Sequence, residues 1–207
     1  MLTIINYGLG NINALVNIYK KNSIEVKIAE CTKDLNNASR LILPGVGSFD
    51  WAITRLNNSG MREKIESLVL NSRIPVLGIC VGMQIMAKGS EEGIEEGLGW
   101  IDANVKKFDV NKDEELSNNQ LPLPHMGWNS INDLTNSPIF HGIDDLRFYF
   151  LHSYYFSPKN DIDIIANSEY NDTFTAAICS KNIYGVQFHP EKSHQSGIKL
   201  LRNFISV

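Results

Sequence analysis

The chain has 207 residues, 43% of them hydrophobic and 20% charged, with a formal net charge of −4. Such a length and composition suit one globular domain with a sizeable core, and the acidic balance, without any Lys/Arg cluster, excludes an electrostatic case for nucleic acid. The three cysteines form no CxxC pair, which argues against a disulfide framework or a cysteine-bound zinc; no apolar stretch approaches a membrane span, and the expected setting is the cytoplasm.

From the N-terminus, Leu2 to Asn6 is a short apolar strand closed by Tyr7-Gly8-Leu9-Gly10. After Asn11, the apolar residues Ile12, Leu15, Val16 and Tyr19 recur with the spacing of a helix lying on a sheet. Glu25 to Ala29 and Arg40 to Leu43 read as the next strands, the second stopped by Pro44-Gly45. Met61, Ile65, Leu68 and Val69 mark another amphipathic helix, feeding an apolar strand that ends at Cys80. Strand and helix in alternation predict a parallel sheet with right-handed crossovers and helices on both faces. Val110 to Pro124 is polar and acidic, then punctuated by prolines, and reads as an exposed, mobile loop. Arg147 to Leu151, Asp163 to Ala166 and Thr175 to Ile178 follow one another without long helices, which predicts a mixed or antiparallel extension of the sheet. Ile198, Leu201 and Ile205 give a closing helix, so the expected fold is α/β in a single domain over residues 1–207.

Chemistry concentrates at Gly78-Ile79-Cys80-Val81-Gly82. A cysteine at the end of a buried strand, with glycines two residues to either side, fits a nucleophile on a sharp strand-to-helix turn. Such a turn lifts the sulfur out of the sheet and points the following N–H groups at the same spot, which favours a thiolate and an incipient anion. Taken alone, Cys80 fits a small buried hydrophobe equally well. A thiol nucleophile also needs a base and a group to orient that base. Of five histidines, only His189 stands in a segment suited to the task, Gly185-Val186-Gln187-Phe188-His189-Pro190-Glu191. Pro190 holds His189 extended, and in extended chain residues 189 and 191 project to one side, which sets Glu191 against the ring. Pro44-Gly45-Val46-Gly47 ends a neighbouring strand. By itself it is a turn; beside Cys80 it can share an oxyanion hole with the Val81 N–H, and its two glycines suit a peptide flip that gates the site.

The motifs GICVGMQ around Cys80, GVQFHPEKS around His189 and Glu191, and LPGVG at the 43–47 turn together resemble the class I, triad-type glutamine amidotransferases. The likeness covers essentially the whole chain. YGLGN at 7–11, PHMGWN at 124–129 and FLHSY at 150–154 further resemble the glutaminase subunits of imidazole glycerol phosphate synthases. The resemblance implies that Cys80 attacks the side-chain amide of glutamine while His189 carries the proton and Glu191 orients it. Val46, Gly47 and Val81 would form the oxyanion hole. Gln84, Glu92, His152, Ser153 and Tyr154 would hold the substrate, Glu92 at its α-ammonium group, although Glu91, Glu95 and Glu96 nearby also fit a solvated acidic surface. No cofactor or metal is implied. The implied partner is a (β/α)8 cyclase or synthase subunit in a heterodimer, approached by Asn11, His125, Met126 and Trp128, which would use the ammonia to make imidazole glycerol phosphate and AICAR. A core strand with Trp128 inside is the plainer reading of that stretch. A paralogous glutaminase serving an enzyme that aminates a surface sugar fits the same motifs. Val81 departs from the leucine more usual beside this nucleophile; the volume change is mild and expected to be silent.

Overall fold

A computed structural model describes residues 1–109, 121–132 and 134–207 of the chain. Four strands from the first half, β1 (Leu2–Ile5), β2 (Val26–Ala29), β3 (Arg40–Gly45) and β4 (Val76–Cys80), lie parallel in the order β2-β1-β3-β4. β1 and β4 are buried along their whole length, as continuous apolar runs require when both faces are covered. Helix α1 (Ile12–Lys21) links β1 to β2, with Asn11 capping it by accepting the Ala14 N–H at 3.3 Å. Its buried residues Leu15, Val16 and Tyr19 are those of the predicted stripe. Helices α2 (Phe49–Asn58) and α3 (Arg62–Glu66) link β3 to β4, and a π-helical turn at Ser67–Asn71 continues α3. The β1-to-β2 step runs opposite to the β3-to-β4 step, so right-handed crossovers put α1 on one face and α2 and α3 on the other.

After Cys80 comes the short helix α4 (Val81–Gln84), then β5 (Gly89–Ser90) and β6 (Ala103–Lys107). The second half adds β7 (His125–Asn132), β8 (Arg147–His152), β9 (Tyr154–Pro158), β10 (Ile164–Tyr170), β11 (Asp172–Ser180) and β12 (Ile183–Val186), and helix α5 (His194–Asn203) closes the chain against α1. β12 returns to the middle of the sheet and pairs parallel with β4, Gly185 opposite Gly78 and Val186 opposite Ile79. From there β11, β10, β7 and β8 extend the sheet antiparallel to one another. β5, β6 and β9 form a separate three-stranded sheet. The first half is therefore parallel and the extension antiparallel, as predicted, and the site forms where the two meet.

Three features differ from the sequence reading. β3 runs on through Pro44 to Gly45 instead of stopping before them, because both residues pair with Ile79 and Cys80 of β4. β7 is a strand, but Trp128 lies on its outer side, 40% exposed. Residues 110–120 of the expected mobile loop lie outside the described residues; its end is tied down, with Leu121 exchanging two hydrogen bonds with the Asn171 side chain at 3.0 and 3.1 Å.

Candidate active site

Cys80 takes φ 54° and ψ −116°, a left-handed conformation that a side-chain-bearing residue adopts only under tertiary constraint. The constraint is close backbone packing. A Cβ on Gly82 would lie 1.9 Å from the Leu43 carbonyl oxygen, and one on Gly45 would lie 2.3 Å from the Gly82 nitrogen. The elbow and the end of β3 thus touch backbone to backbone. Gly45 serves this contact, whereas Gly47, at φ 95° with nothing nearer than the Trp51 ring at 3.8 Å to a Cβ placed there, has the conformational freedom expected of the turn. The helix expected behind the elbow is a single turn, so the anion-stabilising groups near Cys80 are local N–H groups rather than a long helix dipole.

On the other flank, the pairing of β12 with β4 carries the chain to His189, whose N–H donates to the Tyr149 carbonyl at 2.8 Å. His189 is extended at φ −101° and ψ 94°, as the following proline requires. Glu191, by contrast, belongs to a 3₁₀ turn over Pro190–Lys192. It reaches the ring because the turn folds back, not because residues alternate along a strand. Its Oε1 lies 2.9 Å from His189 Nδ1 with both side chains buried, which leaves Nε2 for Cys80 on the same pocket. The other carboxylate oxygen, Oε2, is buried and has no hydrogen-bond partner among the described residues. Burial alone would lower the His189 pKa; the Cys80 thiolate and Glu191 outweigh it and raise the value to about 10. The His189 ring is therefore organised as an imidazolium near neutral pH.

A cavity of about 290 Å³ opens over Cys80, lined by Val46, Gly47, Val81, Gln84, Glu92, His152, Ser153, Tyr154 and His189. Every residue that the sequence places in the oxyanion hole or at the substrate is thus brought to one pocket. Glu92 is also tied to the fold: its Oε2 accepts the Phe49 N–H at 2.8 Å, at the start of α2, directly after the 44–47 turn. It is not part of a freely solvated acidic surface. Met126 and Trp128 face outward, 65% and 40% exposed, and Asn11 is exposed as the cap of α1. His125 is the correction. It is 3% exposed, with its ring stacked on Tyr170 at 3.9 Å and on Phe150 at 4.9 Å, because odd positions of β7 near its start turn inward; it does not present itself to a partner.

Several residues at the site were not singled out from sequence. Gln187 is fully buried and donates from Nε2 toward Cys80 Sγ at 3.7 Å; its place two residues before His189 in extended chain was the available signal. Tyr7 donates to the Pro44 carbonyl at 2.7 Å and so pins the turn from below, and its own phenol pKa is pushed up by burial and then by the Cys80 charge. Asp50 accepts the Ile94 and Glu95 N–H groups at 2.9 and 3.0 Å, which clamps the loop carrying Glu92; nothing local in the sequence announces that contact. Among the described residues, no group of His, Cys, Asp and Glu could hold a metal ion, and no helix is long and apolar enough to cross a membrane.

Comparison with known proteins agrees with this geometry. The family Glutamine amidotransferase class-I matches residues 3–207. The chain is 47% identical to the imidazole glycerol phosphate synthase subunit HisH of Bdellovibrio bacteriovorus, with 100% of each chain covered. It is 44% identical to the protein of the same name from Leptospira interrogans, again over 100% of both. Among solved structures, a glutamine amidotransferase aligns with a TM-score of 0.74 at 17% identity, covering 99% of this chain and 97% of the other. Another glutamine amidotransferase, from Thermotoga maritima, aligns with a TM-score of 0.62 at 16% identity, covering 99% of this chain and 82% of the other. At those identities the structural matches speak for the fold.

Proposed function

The chain belongs to the class I glutamine amidotransferases, and from that premise we propose how its own residues release ammonia from glutamine, and for whom. It hydrolyses glutamine as the ammonia-supplying subunit of an imidazole glycerol phosphate synthase, in histidine biosynthesis. In our reading the whole chain acts as one domain. Cys80 Sγ attacks the side-chain carbonyl carbon of glutamine, and the oxygen of the tetrahedral adduct takes hydrogen bonds from the Val81 N–H and from an N–H of the Val46–Gly47 turn. His189 passes its Nε2 proton to the departing nitrogen, which leaves as ammonia, and a γ-glutamyl thioester remains on Cys80. His189 then takes a proton from water as it attacks the thioester, and glutamate departs with the thiolate restored. Glu191 keeps the ring in the tautomer that this cycle needs. Gln84 and Glu92, with His152, Ser153 and Tyr154, bind the substrate, the carboxylate of Glu92 meeting its α-ammonium group.

The partner in this reading is a (β/α)8 cyclase subunit in a heterodimer, seated on the side that carries Asn11, Met126 and Trp128, where exposed aromatic and sulfur-bearing side chains offer anchors. It uses the ammonia to make imidazole glycerol phosphate and AICAR, and the setting is the cytoplasm, where a working thiol stays reduced. The observation that carries the mechanism is Cys80 held at positive φ on the same pocket as the buried His189–Glu191 pair.

The test is Cys80→Ala. Glutamine hydrolysis and glutamine-dependent synthesis should vanish, while partner binding and synthesis from added ammonia survive. Retained glutaminase activity would overturn the nucleophile assignment. A chloroketone analogue of glutamine should label Cys80 and spare Cys31 and Cys179; preferential labelling of either would do the same.

A further inference from the structure

Two buried histidines outside the triad, His125 and His152, have their protons fixed by their neighbours. His152 Nδ1 lies 2.8 Å from the Tyr154 carbonyl, which can only accept, so Nδ1 carries the proton and Nε2 is the acceptor. His125 Nδ1, 3.2 Å from that Nε2, must then donate, which leaves His125 Nε2 to accept from Asn129 Nδ2 at 3.3 Å. The second Asn129 amide hydrogen goes to the Glu169 carbonyl at 2.7 Å, and its Oδ1 accepts the Ser130 N–H at 2.8 Å. The assignment has one solution, with both rings neutral. Burial agrees, lowering the pKa of His125 to about 4 and that of His152 to about 3.

The chain of bonds continues inward. The Tyr154 carbonyl that receives the His152 proton also receives Gln84 Nε2 at 2.9 Å. The other Gln84 hydrogen goes to Gln187 Oε1 at 3.1 Å, and Gln187 Nε2 points at Cys80 Sγ, 3.7 Å away. Gln84, Gln187, His125 and His152 are each no more than 6% exposed, so water does not compete for these bonds. One end of the wire is the Cys80 sulfur. The other is Asn129 on β7, beside the outward-facing Trp128 and three residues from Met126.

We propose that His125 and His152 are positioning residues: through this wire, a synthase subunit seated on the outer face of β7 sets the orientation of the Gln187 amide at Cys80. The inference rests on the partner assignment above. A small displacement of β7 moves Asn129 and, through His125 and His152, the Tyr154 carbonyl to which Gln84 also donates, so the coupling across that carbonyl is one of position. Gln187 either points a hydrogen at the sulfur or turns its carbonyl there, and only the first stabilises a thiolate.

The test is glutaminase turnover with and without saturating synthase subunit, together with the affinity of that subunit, for wild type, His125→Phe and His125→Gln. Phenylalanine keeps the stacking on Tyr170 and Phe150 but ends the wire, whereas a glutamine amide offers both a donor and an acceptor. His125→Phe should bind the partner normally yet lose about 3- to 30-fold in stimulation, the span expected for residues that couple two sites, and His125→Gln should recover part of it. If His125→Phe does not fold, Asn129→Ala cuts the outer end of the wire and should show the same selective loss. Equal stimulation in wild type and the cut variants, or Phe and Gln variants that behave alike, would overturn the inference and leave the partner assignment standing. A wild type that neither binds nor responds to the synthase subunit would remove both.

Discussion

The parallel and antiparallel halves of the sheet contribute to the site in different ways. The parallel half supplies Cys80 and the 44–47 turn from the ends of adjacent strands, and holds them by backbone contact at Gly45 and Gly82. The antiparallel half supplies His189, the His152 wall and the outward face of β7, and holds them by side chains: stacked rings such as Phe148 on Phe188 at 4.0 Å, and the histidine wire. A backbone contact tolerates no added atom, whereas a side-chain contact can be retuned. Cys80 is therefore fixed by backbone packing, and the side chains that face it are open to adjustment.

Variants at the two flanks should separate these modes. His189→Ala should cost about 10²–10⁴ in glutaminase turnover, the usual scale for a general acid–base group, with the fold retained. Glu191→Gln should cost less, since the base remains and only its orienting charge is lost; near-wild-type turnover in His189→Ala would exclude the triad. On the parallel flank, Gly82→Ala must push the Leu43 carbonyl aside, so both melting temperature and activity should drop. Gly47→Pro should act otherwise. It forbids φ 95° at a position with room for a side chain, so partner-stimulated turnover should fall by up to about 10²–10³, the worth of one oxyanion donor, and by more than basal turnover. Equal loss of the two rates would make the turn structural only.

The same comparison explains what could be read from the sequence. The parallel half was legible because β1, β3 and β4 are largely apolar runs and α1 shows a clear stripe in Leu15, Val16 and Tyr19, although α2 was not read from the sequence. Cys80, His189 and Glu191 were singled out through local patterns and lie close together, although the geometry that joins His189 to Glu191 is a 3₁₀ turn and not an extended chain. The antiparallel half was less legible. β6 and β9 mix buried with exposed or half-buried positions, and the inward turn of His125 depends on the register of β7 against β8, where it faces His152. No local pattern specifies that pairing. Asp50 and Gln187 act across 44 and 107 positions of sequence, respectively, which puts their contacts beyond any motif.

Protonation offers a smaller effect that reports on the antiparallel half. The folded-state pKa values of His125 and His152 lie below the unfolded value of about 6.5. Above that value both states hold neutral rings and nothing is gained or lost. As pH falls from about 6.5 toward 4, the unfolded chain binds protons that the folded one refuses, so stability declines through that window. His189 behaves in the opposite sense: its raised pKa contributes stability below about 6.5 that is lost as pH rises toward about 10. Urea midpoints at neutral pH and near pH 4.5 should therefore converge in His125→Phe relative to wild type. An unchanged difference would mean that these rings do not stay neutral in the folded protein.

The smallest expected effect tests how the substrate end is tied to the parallel half. Glu92 accepts the Phe49 N–H with one oxygen, and the neighbouring Asp50 accepts two N–H groups from the loop that carries Glu92. Helix α2 and the 90–95 loop thus hold each other, and in the proposed mechanism the remaining oxygen of Glu92 meets the α-ammonium of glutamine. Asp50→Asn keeps the shape but can accept at one oxygen only, so one of the two clamping bonds is lost. A single hydrogen bond is worth about 0.5–1.5 kcal/mol net, so KM for glutamine should rise about 2- to 10-fold. Because the α-ammonium contact is the same in the bound substrate and in the transition state, kcat should change little. A fall in kcat at unchanged KM would instead place the effect of Asp50 on the 44–47 turn, through the start of α2, and not on substrate binding.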